Sequence, residues 1–365
     1  MPFLCSRALH LDFGRDMNAC GLKAKFGTEI EFSFALIAES PKLWCRTIHP
    51  HNMKTNMNKW SISLLALCAT VSSTAIAQAH AEERDNVDIQ CGNCTKWNVA
   101  QKPFKVVADT WYVGTAELSS VLVTGPKGHI LIDGALPQSV PQIEANIKAL
   151  GFRLKDIKVI VNSHPHFDHA GGIAQLARDS GATVVASAAG ASVLRAGVIS
   201  SDDPQYEASG NTHFPRVNVV RVIGDGEVIA VGPLKLTAHM TPGHTPGGAS
   251  YTWQSCSGKA CVDVAYVDSL NPAASDGFYY SGDASRPDIV PVFEASIAKV
   301  AAFKCDVVLS AHPDFTDMLE KLAARTKAHN TFIAGDGCKA YAADASARLS
   351  KRLDIERKQK APGSR

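Results

Sequence analysis

From residue 104 onward the apolar residues fall into short β-branched or aromatic runs, each closed by turn formers. Residues 104–108, 110–114, 120–124 and 129–133 follow this pattern, with turns such as Gly125-Pro126-Lys127-Gly128 between them. They predict an antiparallel meander. Residues 137–150 instead carry Val140, Ile143, Ile147 and Leu150 at helical spacing. The run Ile157-Lys158-Val159-Ile160-Val161 reads as a buried strand. Beyond it the pattern predicts helix 173–179, strand 183–186, helix 188–196 and a polar loop over 197–217. Strands follow at 217–223, 227–231, 234–240, 249–253 and 261–267, then helix 287–303, strand 306–309, and helices 316–329 and 339–357. Strands and helices thus recur in two comparable halves. An α+β fold fits this order, with two sheets face to face and helices outside.

Charge changes the picture only at the amino terminus. The 365 residues hold 37 Lys/Arg and 35 Asp/Glu, of which 8 and 5 lie in residues 1–81, leaving 29 and 30 for residues 82–365. No basic surface for nucleic acid follows. The basic stretch from Lys351 to Lys360 reads as a solvated helix end. Lys54 and Lys59 precede a short apolar run over 60–71, followed by Ala75-Ile76-Ala77 and Ala79-His80-Ala81. A basic segment, an apolar core and an A-x-A site describe a secretory signal peptide, here residues 53–81. The run is too short for a comfortable membrane span. A periplasmic protein without stable membrane association after cleavage is expected. Met53 or Met57 would be the natural start, so residues 1–52 read as a doubtful extension and residues 82–365 as the single domain.

Cysteine usage agrees with export. Of ten cysteines, Cys91, Cys94, Cys256, Cys261, Cys305 and Cys338 lie beyond the cleavage site. Cys256 and Cys261 flank a hairpin tip and suggest a local bridge. Cys305–Cys338 would then tie a strand start to the last helix. Cys91 and Cys94 remain as a third pair, with a zinc knuckle or a redox C-x-x-C as their other readings. An oxidising compartment favours disulfides. The even count gives no reason for a cysteine-linked dimer, and a monomer is expected.

The chemistry concentrates at Asn162-Ser163-His164-Pro165-His166-Phe167-Asp168-His169, on the loop that leaves the strand 157–161. Three imidazoles and a carboxylate within six residues are zinc-ligand types. Core packing does not explain them, because a buried charge needs a partner or a metal. One turn cannot aim all four at one ion, so two sub-sites are expected: His164 with His166, and Asp168 with His169. Further ligands are offered by His244, in Thr241-Pro242-Gly243-His244-Thr245-Pro246-Gly247, and by His312, just after the apolar run Val307-Val308-Leu309. His213 reads as a surface residue.

H-x-H-x-D-H followed by T-P-G-H-T-P-G and a later histidine resembles the metallo-β-lactamase superfamily over about residues 95–350. Within it, four features are similar to subclass B3. Asp168-His169 would be adjacent second-metal ligands. No cysteine follows residues 262–267, and Asp268-Ser269-Leu270-Asn271-Pro272 stands there instead. Trp97-Asn98 and Pro103-Phe104 precede Trp111-Tyr112-Val113-Gly114-Thr115. The resemblance implies an αβ/βα sandwich with metals at the sheet edge. It implies two zinc ions, one on His164, His166 and His244, the other on Asp168, His169 and His312. Between them a metal-bound hydroxide would open the β-lactam amide of penicillins, cephalosporins or carbapenems, giving antibiotic resistance. Asp168 would also orient the nucleophile, while Ser269 and Asn271 would bind the substrate carboxylate. Bridges matching Cys256–Cys261 and Cys305–Cys338 occur in that family. A lactonase or thioesterase is the alternative if Asp268 turns inward to bridge the metals, with Asp283 a weaker candidate for that position. A non-catalytic secreted zinc-binding protein is the third reading. It is disfavoured because a structural site closes with four ligands, whereas two sets of three leave open positions.

Overall fold

The computed structural model describes residues 88–361 and the backbone of two strands, β1 (Cys20–Lys25) and β2 (Glu31–Leu36), which pair antiparallel. The expected signal peptide, residues 53–81, lies outside the described residues.

The first half of the domain forms a seven-stranded sheet in sequence order: β3 (Phe104–Val107), β4 (Thr110–Tyr112), β5 (Val121–Gly125), β6 (Gly128–Ile132), β7 (Ile157–Val161), β8 (Thr183–Ala186) and β9 (Val220–Val222). Strands β3 to β6 are the expected antiparallel meander, and β6 to β9 run parallel. Parallel neighbours need crossovers, supplied by helices Val140–Ala149, Ile173–Ser180 and Ala188–Ala196. The second half forms a five-stranded sheet: β10 (Val228–Val231), β11 (Leu234–Met240), β12 (Ala249–Ser257), β13 (Ala260–Val267) and β14 (Val307–Ser310). Only β13 and β14 are parallel there, and helix Val290–Ala301 makes that crossover.

Side-chain alternation builds three apolar layers. Ile130 and Ile132 face the second sheet, where Leu236, Tyr251, Val264 and Leu309 meet them. Leu131 and Ile160 point the other way, against Ile143, Ile147 and Leu176 of the first set of helices. On the far side Val267 and Val308 pack on Phe293, Ile297 and Tyr341. Strands buried on both faces read as continuous apolar runs, which is why residues 157–161 stand out in the sequence. The result is the αβ/βα sandwich. Three disulfides join Cys91 to Cys94, Cys256 to Cys261 and Cys305 to Cys338.

Several elements depart from the sequence pattern. The strand predicted at 217–223 shrinks to Val220–Val222, because Val217 N–H bonds to Leu194 O and ties the preceding stretch to a helix. The strand predicted at 249–253 runs on to Ser257, since Cys256 and Cys261 face each other in register. The helix predicted at 316–329 is only Met318–Ala324, after a 3₁₀ turn over Pro313–Thr316. Beyond it the chain serves the edge strand instead: Arg325 donates to Lys105 O and Asn330 Nδ2 to Val106 O. The basic end of helix Gly337–Lys360 is not merely solvated. Its buried Glu356 carboxylate accepts from Tyr280 N–H at 2.8 Å, Ser281 N–H at 3.0 Å and Ser281 Oγ at 2.7 Å, with Arg352 beside it. The helix thereby pins the segment after β13.

Candidate metal centre

One buried carboxylate organises the frame. Asp133 follows β6 with φ +59°, a conformation that side chains other than glycine rarely adopt. It accepts from Asn162 Nδ2 (3.0 Å), Ser163 N–H (2.7 Å), Ser163 Oγ (2.6 Å) and Tyr266 OH (2.8 Å). Those four bonds hold the loop leaving β7 against the end of β13. Tyr251 OH donates to Asn162 O at 2.8 Å from the facing sheet. Both tyrosines are fully buried, so each hydroxyl needs such a partner.

The loop carries His164 and His166, and a single helical turn, Phe167–Ala170, carries Asp168 and His169. The β11–β12 turn brings His244, and the exit of β14 brings His312. All six predicted ligands converge. His164, His166 and His244 stand with ring centroids 4.8–4.9 Å apart, and one ligand nitrogen from each lies within 4.8 Å of the others. Asp168 Oδ2 lies 3.2 Å from His169 Nε2 and 3.4 Å from His312 Nε2, and the two nitrogens are 3.2 Å apart. Ligand atoms about 2.0–2.2 Å from zinc at tetrahedral angles lie roughly 3.3–3.5 Å from one another. The second set therefore has the edge lengths of a zinc tetrahedron. His164 Nε2 and His169 Nδ1 are buried without a hydrogen-bond partner. Such orphans cost about 1–3 kcal/mol each, and a metal on His164 Nε2 removes that cost, whereas His169 Nδ1 faces away from its ligand set. The donor set fits zinc.

The protonation states of His164, His244 and Asp168 fit as well. Burial, followed by the neighbouring rings of His169, His244 and His166, pushes His164 well below the ordinary histidine value. Burial and then His166 push His244 down to about 3. Both are neutral, as metal ligation requires. Burial would raise Asp168, but His169 and His312 outweigh it and hold the carboxyl well below its usual range. Burial opposes the charged forms of His166 and His312, yet Asp203 raises the first and Asp168 the second.

The outer nitrogens are held in turn. His166 Nε2 lies 3.1 and 3.2 Å from the two oxygens of Asp203, which also accepts from Gln205 N–H at 2.8 Å. His244 Nδ1 donates to Asn271 O at 2.7 Å. His312 Nδ1 sits 3.1 Å from Glu117 O. His164 Nδ1 lies 2.8 Å from Asp268 Oδ1, a close polar contact that is off line for a hydrogen bond. Asp268 is fully buried, and burial pushes its carboxyl well above the ordinary range. A Cβ at Gly248 would stand 2.3 Å from Asp268 Oδ2, so only glycine fits behind it. Asp268 thus addresses the outer nitrogen of His164, not the space between the two ligand sets.

Ser269 is buried with its Oγ unpartnered, and with Asn271, His244 and His312 it lines a cavity of about 270 Å³. Asn271 shares that lining, and its backbone carbonyl holds His244. Asp283 is exposed, and its carboxylate closes a local turn by accepting from Ser285 and Arg286 N–H groups. It takes no part in the centre. His213 is exposed, as expected. The sequence pattern did not single out Asp203, Lys96 or Glu117. Asp203 was signalled only by its place in the polar 197–217 loop.

The family profile of the metallo-beta-lactamase superfamily matches residues 116–258. Among solved structures, the Rm3 metallo-beta-lactamase is 46% identical with a TM-score of 0.71, covering 74% of this chain and 100% of that one. MEM-A1, a subclass B3 metallo-beta-lactamase from a soil metagenome library, is 47% identical with a TM-score of 0.68, covering 72% and 100%. Curated relatives match more thinly. A hydroxyacylglutathione hydrolase of Anaeromyxobacter dehalogenans is 30% identical over 26% of this chain, which spans 28% of that protein's length. The N-acyl homoserine lactonase AttM of Agrobacterium fabrum is 28% identical over 44% of this chain and 70% of its own. With whole-length matches to solved structures of this kind, the chain belongs to the metallo-β-lactamase superfamily, beside its subclass B3 members.

Proposed function

We propose that this chain is an exported β-lactamase that hydrolyses the β-lactam amide of penicillins, cephalosporins and carbapenems and so confers resistance to them. The observation that carries the reading is the meeting of two three-residue zinc sets at one cavity that also presents the unpartnered Ser269 hydroxyl. His164, His166 and His244 would hold the first zinc, and Asp168, His169 and His312 the second. Bound zinc supplies Lewis acidity and makes water acidic enough to react near neutral pH. Asp168, kept ionised by its histidine neighbours, would orient the nucleophile's proton. Ser269 Oγ and Asn271 would bind the substrate carboxylate. All six cysteines of residues 88–361 are in disulfides, so none of them competes as a nucleophile. The same bridges support the export reading, with residues 53–81 as leader and the periplasm as destination.

A lactone or thioester hydrolase of this superfamily is the alternative. It relied on Asp268 lying between the metals, and that carboxylate instead contacts the outer nitrogen of His164. The test is hydrolysis of a chromogenic cephalosporin and of a carbapenem by the zinc-loaded protein, with and without chelator. Turnover abolished by chelation and restored by zinc supports the proposal. Two bound zincs with no turnover would sink it and move attention to lactones.

A further inference from the structure

The C-x-x-C turn at the start of the described domain has no part in the chemistry above, yet it forms a wall of the catalytic cavity. Asn93, Lys96 and Trp97 line that cavity together with Ser269 and Asn271. The wall is built rigidly. Cys91–Cys94 closes the turn, and the short helix Cys94–Trp97 follows. Thr115 Oγ1 donates to Trp97 O, and Ala116 N–H donates to Val99 O at 2.9 Å. Upstream, Gln138 bonds Ile89 in both directions, at 3.1 and 2.8 Å. The Trp97 ring packs on Phe167 and on the His312 ring, with centroids 6.3 and 5.7 Å apart.

Lys96 is the only lysine or arginine in that lining, which also holds the carboxylates of Glu117 and Asp314. Its Nζ lies 3.2 Å from Glu117 Oε2, and its side chain is 68% exposed. A lysine stem of this exposure can swing its ammonium between two anions. Two carboxylates without a cation would repel an anionic substrate from this side. We propose that Lys96 is a specificity residue: it leaves Glu117 to pair with an anionic group on the substrate's acyl side chain, in the same cavity as the ring carboxylate at Ser269 and Asn271. The proposal rests on the β-lactamase reading and goes beyond it by naming a preferred substrate class, β-lactams with a second carboxylate.

The test is steady-state kinetics of the zinc-loaded wild type, Lys96→Gln, Lys96→Glu and Lys96→Arg at low and high salt. One cephalosporin has a single carboxylate, and the other carries a second on its side chain. For the dicarboxylate, Lys96→Gln raises KM about three- to fivefold with kcat little changed. Lys96→Glu raises it further, and Lys96→Arg restores it. High salt shrinks the difference, as expected for exposed charges. The monocarboxylate changes little throughout. Equal KM for Lys96→Gln and wild type on both substrates, with wild type active, overturns the assignment of Lys96 and leaves the β-lactamase reading standing. An equal rise for both substrates also overturns it, by placing Lys96 at the ring carboxylate. A wild type with two zincs and no turnover removes both readings together.

Discussion

The two ligand sets are built from the same residue types and held in different ways. In the first set every outer nitrogen meets a group fixed by a separate part of the chain. Asp268 at the end of β13 faces His164, Asp203 in the 197–217 loop holds His166, and the Asn271 carbonyl holds His244. In the second set Asp168 and His169 are neighbours on one helical turn, and His169 Nδ1 has no partner. Only His312 is braced, by Glu117 O beside the amino-terminal wall. The first set is oriented before metal arrives, whereas the second, His312 apart, depends on contacts within itself. Partners that fix a ligand ring tune its metal affinity strongly. The first site should therefore bind zinc more tightly, and a chelator should strip the second zinc first.

The largest effect separates the sets directly. His244→Ala is expected to lower first-site zinc affinity by more than about 100-fold, beyond the range seen for outer partners alone. His312→Ala should leave one zinc bound at near wild-type affinity. Chelator competition followed by metal analysis reads both. Equal loss of both zincs from His312→Ala would end the comparison. Next in size, Asp203→Asn keeps the shape but weakens the hold on His166, and about 10-fold weaker zinc at the first site is expected. The second site should barely change. Smaller again is Tyr266→Phe, which removes one donor from the buried Asp133. A loss of about 1–2 kcal/mol in urea unfolding is expected, with zinc stoichiometry retained.

These residues differ in how visible they were beforehand. His164, His166, Asp168, His169, His244 and His312 stand beside turn formers at the ends of apolar runs, so local pattern alone marks them. The sheets were legible for the same reason, since strands buried on both faces leave unbroken apolar runs. Asp203 was hidden because nothing near it in sequence relates it to His166, 37 residues away. Asp268 is a candidate bridge by sequence alone, because its side-chain direction depends on Gly248 and the β12–β13 pairing. Helix 316–329 failed because Arg325 and Asn330 bond to an edge strand more than 200 residues upstream. Local periodicity carries no record of such partners.

The subtlest expectation concerns pH in the metal-free protein. Asp203 raises His166 above its ordinary value against the cost of burial, and His166 lowers Asp203 below its own. The pair is charged on both sides only between those two shifted values. The raised His166 contributes stability that is fully present below its unfolded value and is lost as pH rises through the folded one. The lowered Asp203 contributes stability present above its unfolded value and lost as pH falls through the folded one. The melting difference between wild type and Asp203→Asn, both held in chelator, should thus peak in mildly acidic solution and shrink toward either extreme. Saturating zinc should flatten the alkaline side, because metal takes His166 in its neutral form. A difference independent of pH would mean that Asp203 acts through shape and packing alone. The first set would then owe its orientation to the strand ends and not to its charged partner.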